Sequence, residues 1–203
     1  LALGDAETLL RAAEGKSAVV FGPGIPRGDE TAALLKRLLE AWTLPTVLDA
    51  DGLNAVAQDH SLLRAARGPL ILTPHPGEMA RLLGIKADEV QADRLGAVRK
   101  FATAHPAVVV LKGARTLTGL VNGTVYVNPT GNPGMSTAGT GDVLSGLLGA
   151  LLAQGLGVED AALVGVYAHG MAGDLAALRT GQMGLTASAV SDALGEVWVR
   201  WGR

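Results

Sequence analysis

The run Gly139-Thr140-Gly141-Asp142 stands directly before the apolar stretch Val143 to Leu152. The first amides of a helix have no intrahelical partner, and the helix dipole places partial positive charge there. Glycines at 139 and 141 strip side chains from that amide cluster, so Gly139, Thr140 and Gly141 can form an anion hole for a phosphate. Asp142 is then either a helix cap or a carboxylate that takes a proton beside the phosphate. A cap needs no bare backbone on both sides, whereas an anion hole does.

Four other segments place reactive side chains or bare backbone at the end of an apolar run. They are Gly22-Pro23-Gly24, Asp49 and Asp51 in "DADGLN", "TPHPGE" at 73–78, and Lys112-Gly113. His75 sits between two prolines that fix φ, so it is held in a rigid loop; an ordinary exposed histidine is the plainer alternative. Glu78 falls in a first helical turn, where a carboxylate is favoured electrostatically, and where it can also hold magnesium-bound water beside a phosphate. Asp49 or Asp51 as a helix cap is the bland reading of that pair. Other chemistries are excluded by spacing. "DADGLN" opens like a calcium loop, but position twelve from Asp49 is His60. "GKS" at 15–17 has Leu10 where a phosphate-binding loop needs glycine, and Leu144 stands where a dinucleotide fingerprint needs its third glycine. Zinc-protease spacing and a Gly-x-Ser-x-Gly elbow are absent.

The elements that must position these residues alternate between strand and helix. Helices are expected at 5–14, from a cap at Asp29 or Thr31 with Leu34, Leu35, Leu38 and Leu39 as its apolar face, from Asp51, at 77–83 and continuously over 88–104. Between them lie strands in "SAVVFGPG", "PTVLDA", "PLILTP" and "AVVVLKG". A hairpin follows, "RTLTGLV" and "TVYVN" about Asn122-Gly123, for which a type I′ turn is expected. Three helices close the chain at about 140–154, 158–179 and 186–201. In the first of them Gly146, Gly149 and Ala150 should let neighbours approach closely. Such alternation predicts one α/β domain over 1–203, with a mostly parallel sheet, helices on both faces and an antiparallel hairpin at one edge. Open sheets of this kind bind ligands at the carboxyl ends of their strands, where all five segments fall.

Composition narrows the partners. Hydrophobic residues make up 48% of the 203 and charged ones 18%, which supports a sizeable core. With two Phe, two Tyr, a net charge of −2 and no basic stripe, no nucleic-acid partner is expected. Zero cysteines exclude disulfides and thiolate chemistry and fit a reducing, cytoplasmic setting. Leu1 to Leu10 has no basic signal-peptide region, and the apolar run from Val143 is too short and mixed to span a bilayer, so no membrane partner is expected.

In order, "GPG" at 22–24, "DADGLN" at 49–54, "TPHPGE" at 73–78, "LKGART" at 111–116 and "GNPGMSTAGTGDVLSG" at 131–146 resemble one family over almost the whole chain. It is the ADP- or ATP-dependent (S)-NAD(P)H-hydrate dehydratases, the C-terminal domain of bifunctional NAD(P)H-hydrate repair enzymes. The resemblance implies a ribokinase-like three-layer α/β/α fold. It also implies a carbon-oxygen lyase that phosphorylates the ring hydroxyl of hydrated NADH or NADPH, then expels phosphate. Asp142 would be the base, and Gly139, Thr140 and Gly141 would cradle the phosphoryl group. Lys112, Gly113, Ala114, Arg115, Thr116 and Gly141 would line the adenine nucleotide. Gly24, His75, Asn132, Asp49 and Asp142 would meet substrate, and Glu78 would stand near Mg2+. ADP is the expected donor, with ATP as the other choice, and a homo-oligomer and a fused or separate epimerase domain are the expected partners. Family domains carry a further segment before this point, with opening strands and a substrate-contacting alanine, so the 1–203 domain is expected to lack its N-terminal part. A related vitamin kinase acting on a pyrimidine, pyridoxal or thiazole alcohol is the other reading; "NPGM" and "TPHPGE" count against it.

Overall fold

Three apolar runs with hardly a polar side chain become the centre of one sheet. The computed structural model describes residues 2–202. Strands β1 (Val19–Phe21), β2 (Thr46–Leu48), β3 (Leu70–Leu72) and β4 (Ala107–Leu111) are mutually parallel and neighbour one another in chain order. Strands β5 (Leu117–Gly119) and β6 (Val125–Val127) continue the sheet antiparallel, β5 against β4 and β6 against β5. Every residue of β2, β3 and β4 is buried, as expected of strands covered on both faces.

The period of two sorts those strands into two layers. Leu70, Leu72, Ala107, Val109 and Leu111 enter one hydrophobic cluster, while Ile71, Val108 and Val110 enter the other. The first layer is built by α1 (Ala6–Ala13), α2 (Asp29–Ala41), α3 (Ala50–Gln58), α4 (Ser61–Ala65), α5 (Pro76–Leu83), α6 (Ala87–Ala92) and α7 (Arg94–Ala104). The second is built by α8 (Thr140–Ala153), α9 (Val158–Thr180) and α10 (Ala187–Arg200). Leu34, Leu35, Leu38 and Leu39 form the buried face of α2, as their spacing required. Helix α9 is long and apolar enough to cross a membrane by length and composition, but 61% of its apolar window is buried in this core. A Cβ at Gly165 would stand 2.6 Å from Leu148, so glycine is what lets α8 and α9 touch.

Several expectations need correction. Residues 88–104 are two helices, not one. Asp93 leaves helical geometry at φ −140° and ψ 74°, and its carboxylate accepts the Gly96 amide at 2.8 Å, capping α7. Helix α4 follows Asp59, whose side chain bonds both the amide and the hydroxyl of Ser61. Neither Asp29 nor Thr31 caps α2: the cap position is Gly28, and the Thr31 hydroxyl donates to Pro26 O at 2.7 Å. The Asn122-Gly123 turn is not type I′, because only Gly123 has positive φ, at 86°. Gly123 N instead closes on Leu120 O, and Leu120 N bonds Thr124 O, giving a longer loop. Only Gly149 serves close packing in α8, where a Cβ would meet Val20 at 2.6 Å; Gly146 and Ala150 face outward.

Parallel pairing also fixes where the loops go. Phe21 pairs with Leu48, Leu48 with Leu72, and Leu72 with Val109. The carboxyl ends of β1 to β4 therefore share one rim.

Candidate active site

Backbone contacts bind the rim together. Asp49 N donates to Phe21 O, Thr73 N to Leu48 O, and Lys112 N to Pro74 O at 2.8 Å. The "GPG" and "DADGLN" turns lie backbone against backbone. A Cβ at Gly22 would fall 1.7 Å from Asp49 O, and φ there is +134°. Only glycine fits that contact.

At the centre is a carboxylate with three donors. Asp49, 1% exposed, accepts the Lys112 ammonium on Oδ1 at 2.7 Å, the Ala50 amide on Oδ1 at 2.8 Å, and the Ser145 hydroxyl on Oδ2 at 2.6 Å. It thus caps α3 and neutralises Lys112 together. A buried charge of this kind holds only when it is paired and hydrogen-bonded, and here it is both. Ser145 reaches it from α8, 96 positions away in sequence. The open side of Gly141 faces the same pair, with a hypothetical Cβ 3.4 Å from Lys112 Nζ.

The start of α8 has the features that its sequence predicted. Gly139 occupies the cap position at φ +85° and no side chain caps the helix. Thr140 N bonds Thr137 O, but the amides of Gly141 and Asp142 find no partner among the described residues. The Asp142 side chain, exposed, accepts no hydrogen bond among them either, so it is not acting as a cap. The Thr140 hydroxyl is buried without a partner. Beneath, His169 of α9 donates Nε2–H to Thr140 O at 3.0 Å, since a carbonyl can only accept. Burial lowers the His169 pKa to about 4, against the opposing Thr140 bond and with help from the Lys112 charge. The imidazole is therefore neutral at physiological pH.

His75 and Glu78 form a reciprocal cap on α5. Nδ1 of His75 accepts the amides of Gly77 and Glu78 at 3.0 and 3.3 Å, and Glu78 Oε2 accepts the His75 amide at 2.7 Å. Glu78 also lies 4.0 Å from Lys112 Nζ. Nδ1 is thus occupied as an acceptor, and Nε2 lies 3.4 Å from the other oxygen of Glu78, Oε1. No cluster of three metal-ligating side chains exists among the described residues. Magnesium arriving on nucleotide phosphates and water would need only water-mediated contact with a rim carboxylate such as Glu78 or Asp142.

The 112–116 loop is held from below. Arg94 donates to the carbonyls of Leu111 and Lys112 at 3.3 Å each and to that of Ala114. Its burial depresses its pKa. Arg115, at φ +57°, donates to Pro129 O, and Thr116 Oγ1 to Gly113 O. Gly24, at φ +74°, has open space where a side chain would be. Asn132 is drawn aside: Nδ2 donates to Asp174 of α9 at 2.9 Å and Oδ1 accepts from Gly134 N. The structure thus gathers the Gly22 turn, Asp49, His75, Glu78, Lys112 and Gly141 on one rim, while Asn132 is tied to α9. Ser145, His169 and Arg94 escaped sequence reasoning. Ser145 and His169 are lone polar residues on apolar helix faces, which is the one signal that could have found them.

The protein-family model described as NAD(P)H-hydrate dehydratase matches residues 2–195. The bifunctional NAD(P)H-hydrate repair enzyme Nnr of Moorella thermoacetica is 51% identical over 87% of this chain and 33% of its own length. The ADP-dependent (S)-NAD(P)H-hydrate dehydratase of Neisseria meningitidis serogroup B is 45% identical over 92% of this chain and 63% of its own. The solved ADP/ATP-dependent NAD(P)H-hydrate dehydratase of Bacillus subtilis, co-crystallised with ATP and Mg2+, superposes with a TM-score of 0.82 at 32% identity. That match covers 94% of this chain and 69% of the other. The chain therefore spans about a third of the bifunctional relative and under two thirds of the Neisseria one. Motifs, ribokinase-like fold and relatives agree: this chain belongs to the NAD(P)H-hydrate dehydratase family.

Proposed function

We propose that the protein restores NADH and NADPH from the S-epimer of their hydrates at the expense of an adenine nucleotide. The observation that carries this is the start of α8: two unbonded amides beside a free carboxylate, above a lysine held by a buried aspartate. In phosphoryl transfer a protein chiefly positions groups and stabilises charge. The ring hydroxyl of the hydrate gives its proton to Asp142 and attacks the terminal phosphorus of the nucleotide. A new O–P bond forms as the bond to the departing nucleotide breaks. The amides of Gly141 and Asp142 carry the negative charge on the transferred group. The ring C–O bond then breaks, inorganic phosphate leaves, and the adjacent ring carbon loses a proton to restore the double bond.

Gly24 and His75 face the hydrate, and the loop from Lys112 to Thr116 lines the nucleotide. Asp49 acts through Lys112, not through contact with substrate. Mg2+ would neutralise charge on the nucleotide phosphates. ADP is the donor we favour, in line with the name of the Neisseria relative. We read residues 1–203 as one dehydratase domain of a cytoplasmic homo-oligomer. The greater length and bifunctional naming of the Moorella relative support an accompanying epimerase domain. The test is incubation with hydrated NADH, magnesium and ADP or ATP, following reduced-nicotinamide absorbance and released phosphate. No recovery of NADH with either nucleotide would refute the reading.

A further inference from the structure

A cavity of about 390 Å³ opens beside the rim, away from the anion hole. Its walls include Arg27, just after the Gly24 turn; Asp51 and Asn54, on α3; and Arg81, on α5. These are the segments that also carry Gly24, Asp49 and His75. The anion hole belongs to α8, in the opposite helical layer.

The cavity wall is an ordered chain of polar side chains. Arg27 Nε meets Asp51 Oδ1 at 2.6 Å, Asn54 Nδ2 donates to the same oxygen at 2.7 Å, and Arg81 Nε donates to Asn54 Oδ1 at 2.8 Å. Each arginine is thereby fixed through Nε, and the terminal nitrogens of both have no partner among the described residues. Two guanidiniums against one carboxylate leave the wall with a positive charge. Of the other rim cations, Lys112 is committed to Asp49 and Arg94 to three carbonyls, while Arg115, bonded to Pro129 O, belongs to the 112–116 loop on the other side of the rim.

We propose that this cavity takes the pyrophosphate of the dinucleotide substrate, with Arg27 and Arg81 as the phosphate-binding side chains. The inference rests on the dehydratase reading. In that reaction the nucleotide's phosphates fill the anion hole, so the two negative charges of the dinucleotide need a separate site. That site must lie within reach of the Gly24 and His75 side, and it must offer donors that are free. Paired terminal nitrogens of arginine suit phosphate oxygens in geometry as well as charge. Asn54 contributes by holding Arg81 in place.

The test is a fluorescence titration of NADH against the full chain, with an ADP titration in parallel. Wild type, Arg27→Ala, Arg81→Ala, Asn54→Leu and the Asn54→Leu/Arg81→Ala double variant are compared, each first checked by a thermal melt. Loss of either arginine should weaken NADH binding about tenfold, as expected for one charge-assisted pair, with a much smaller change for ADP. KM for hydrated NADH should rise by more than kcat falls. The double variant should be little worse than Arg81→Ala, because Asn54 acts through that arginine. The KM penalty should shrink at least fivefold, on the order of 1 kcal/mol, with hydrated dihydronicotinamide riboside, which has no phosphate. Unchanged NADH affinity in folded variants would overturn the proposal, and so would equal loss of NADH and ADP affinity, which would make the cavity part of the nucleotide site. A wild type that binds NADH but never dehydrates the hydrate would sink the dehydratase reading instead, while the titration still judges the cavity.

Discussion

Acidification from pH 7 to pH 5 should cost the fold about 2 kcal/mol through His169 alone. The imidazole is 8% exposed, and burial lowers its pKa from 6.5 to about 4. The unfolded chain takes up this proton near pH 6.5, the folded chain only near pH 4. Between those values the unfolded state binds more protons, so stability falls as pH drops through the window and is whole above it. A tenfold difference in proton affinity is worth about 1.4 kcal/mol, so the whole window amounts to roughly 3 kcal/mol and the part above pH 5 to about 2. His105 adds a loss of the same sign, because burial and the neighbouring His60 and Arg64 lower its pKa too. The reference must therefore be a variant, not the calculated sum. His169→Gln keeps a donor for Thr140 O and removes the titration. Urea unfolding of both proteins at pH 7 and pH 5 should show wild type losing about 2 kcal/mol more than His169→Gln. Parallel losses would mean that the buried ring is not the group that titrates.

Three further outcomes follow from the rim. Asp142→Asn should leave the melting temperature nearly unchanged, since the side chain caps nothing, yet lower turnover by roughly 10²- to 10⁴-fold, measured by NADH recovery; near-normal turnover would assign the proton to another group. Lys112→Met strands the buried Asp49 charge and should cost about 3 kcal/mol in urea unfolding, with Asp49→Asn in the same chain restoring part of it; strictly additive losses would mean that the two do not interact. Gly22→Ala should destabilise by more than about 3 kcal/mol, because its Cβ would overlap Asp49 O, whereas Gly24→Ala meets only backbone strain of about 1 kcal/mol; equal melting temperatures for the two would contradict the backbone packing described.

The sheet was legible because its evidence is local. Runs such as "PLILTP" and "AVVVLKG" are apolar on both faces, and their alternation with helices leaves few parallel arrangements to consider. The errors were local as well. Asp93 reads as one more polar residue on a helix surface, yet its carboxylate stops one helix and starts the next. Asn122-Gly123 reads as a tight turn, but Asn122 stays at negative φ once Leu120 and Thr124 pair.

At the site, sequence exposed whatever a bare backbone or a proline reveals and hid whatever depends on distant pairing. Glycines at 139 and 141 announced the bare amides at the start of α8, because few other demands put two glycines at a helix start. Asp49 read as a cap, and it does cap α3, but its neighbours in sequence show nothing of its other partners. Its position is decided by Lys112 and Ser145, 63 and 96 residues onward, and nothing in the sequence pairs either of them with Asp49. The same three residues explain how two helical layers can build one site. Asp49 starts a helix of the first layer, Ser145 belongs to the second, and Lys112 directly follows strand β4, which packs against both. A carboxylate buried between them and bonded to both Lys112 and Ser145 fixes the start of α8 relative to the strand ends. Loss of that carboxylate would therefore loosen the start of α8 against the ends of the strands, and on the proposed function it would lower turnover although Asp49 itself is almost wholly buried.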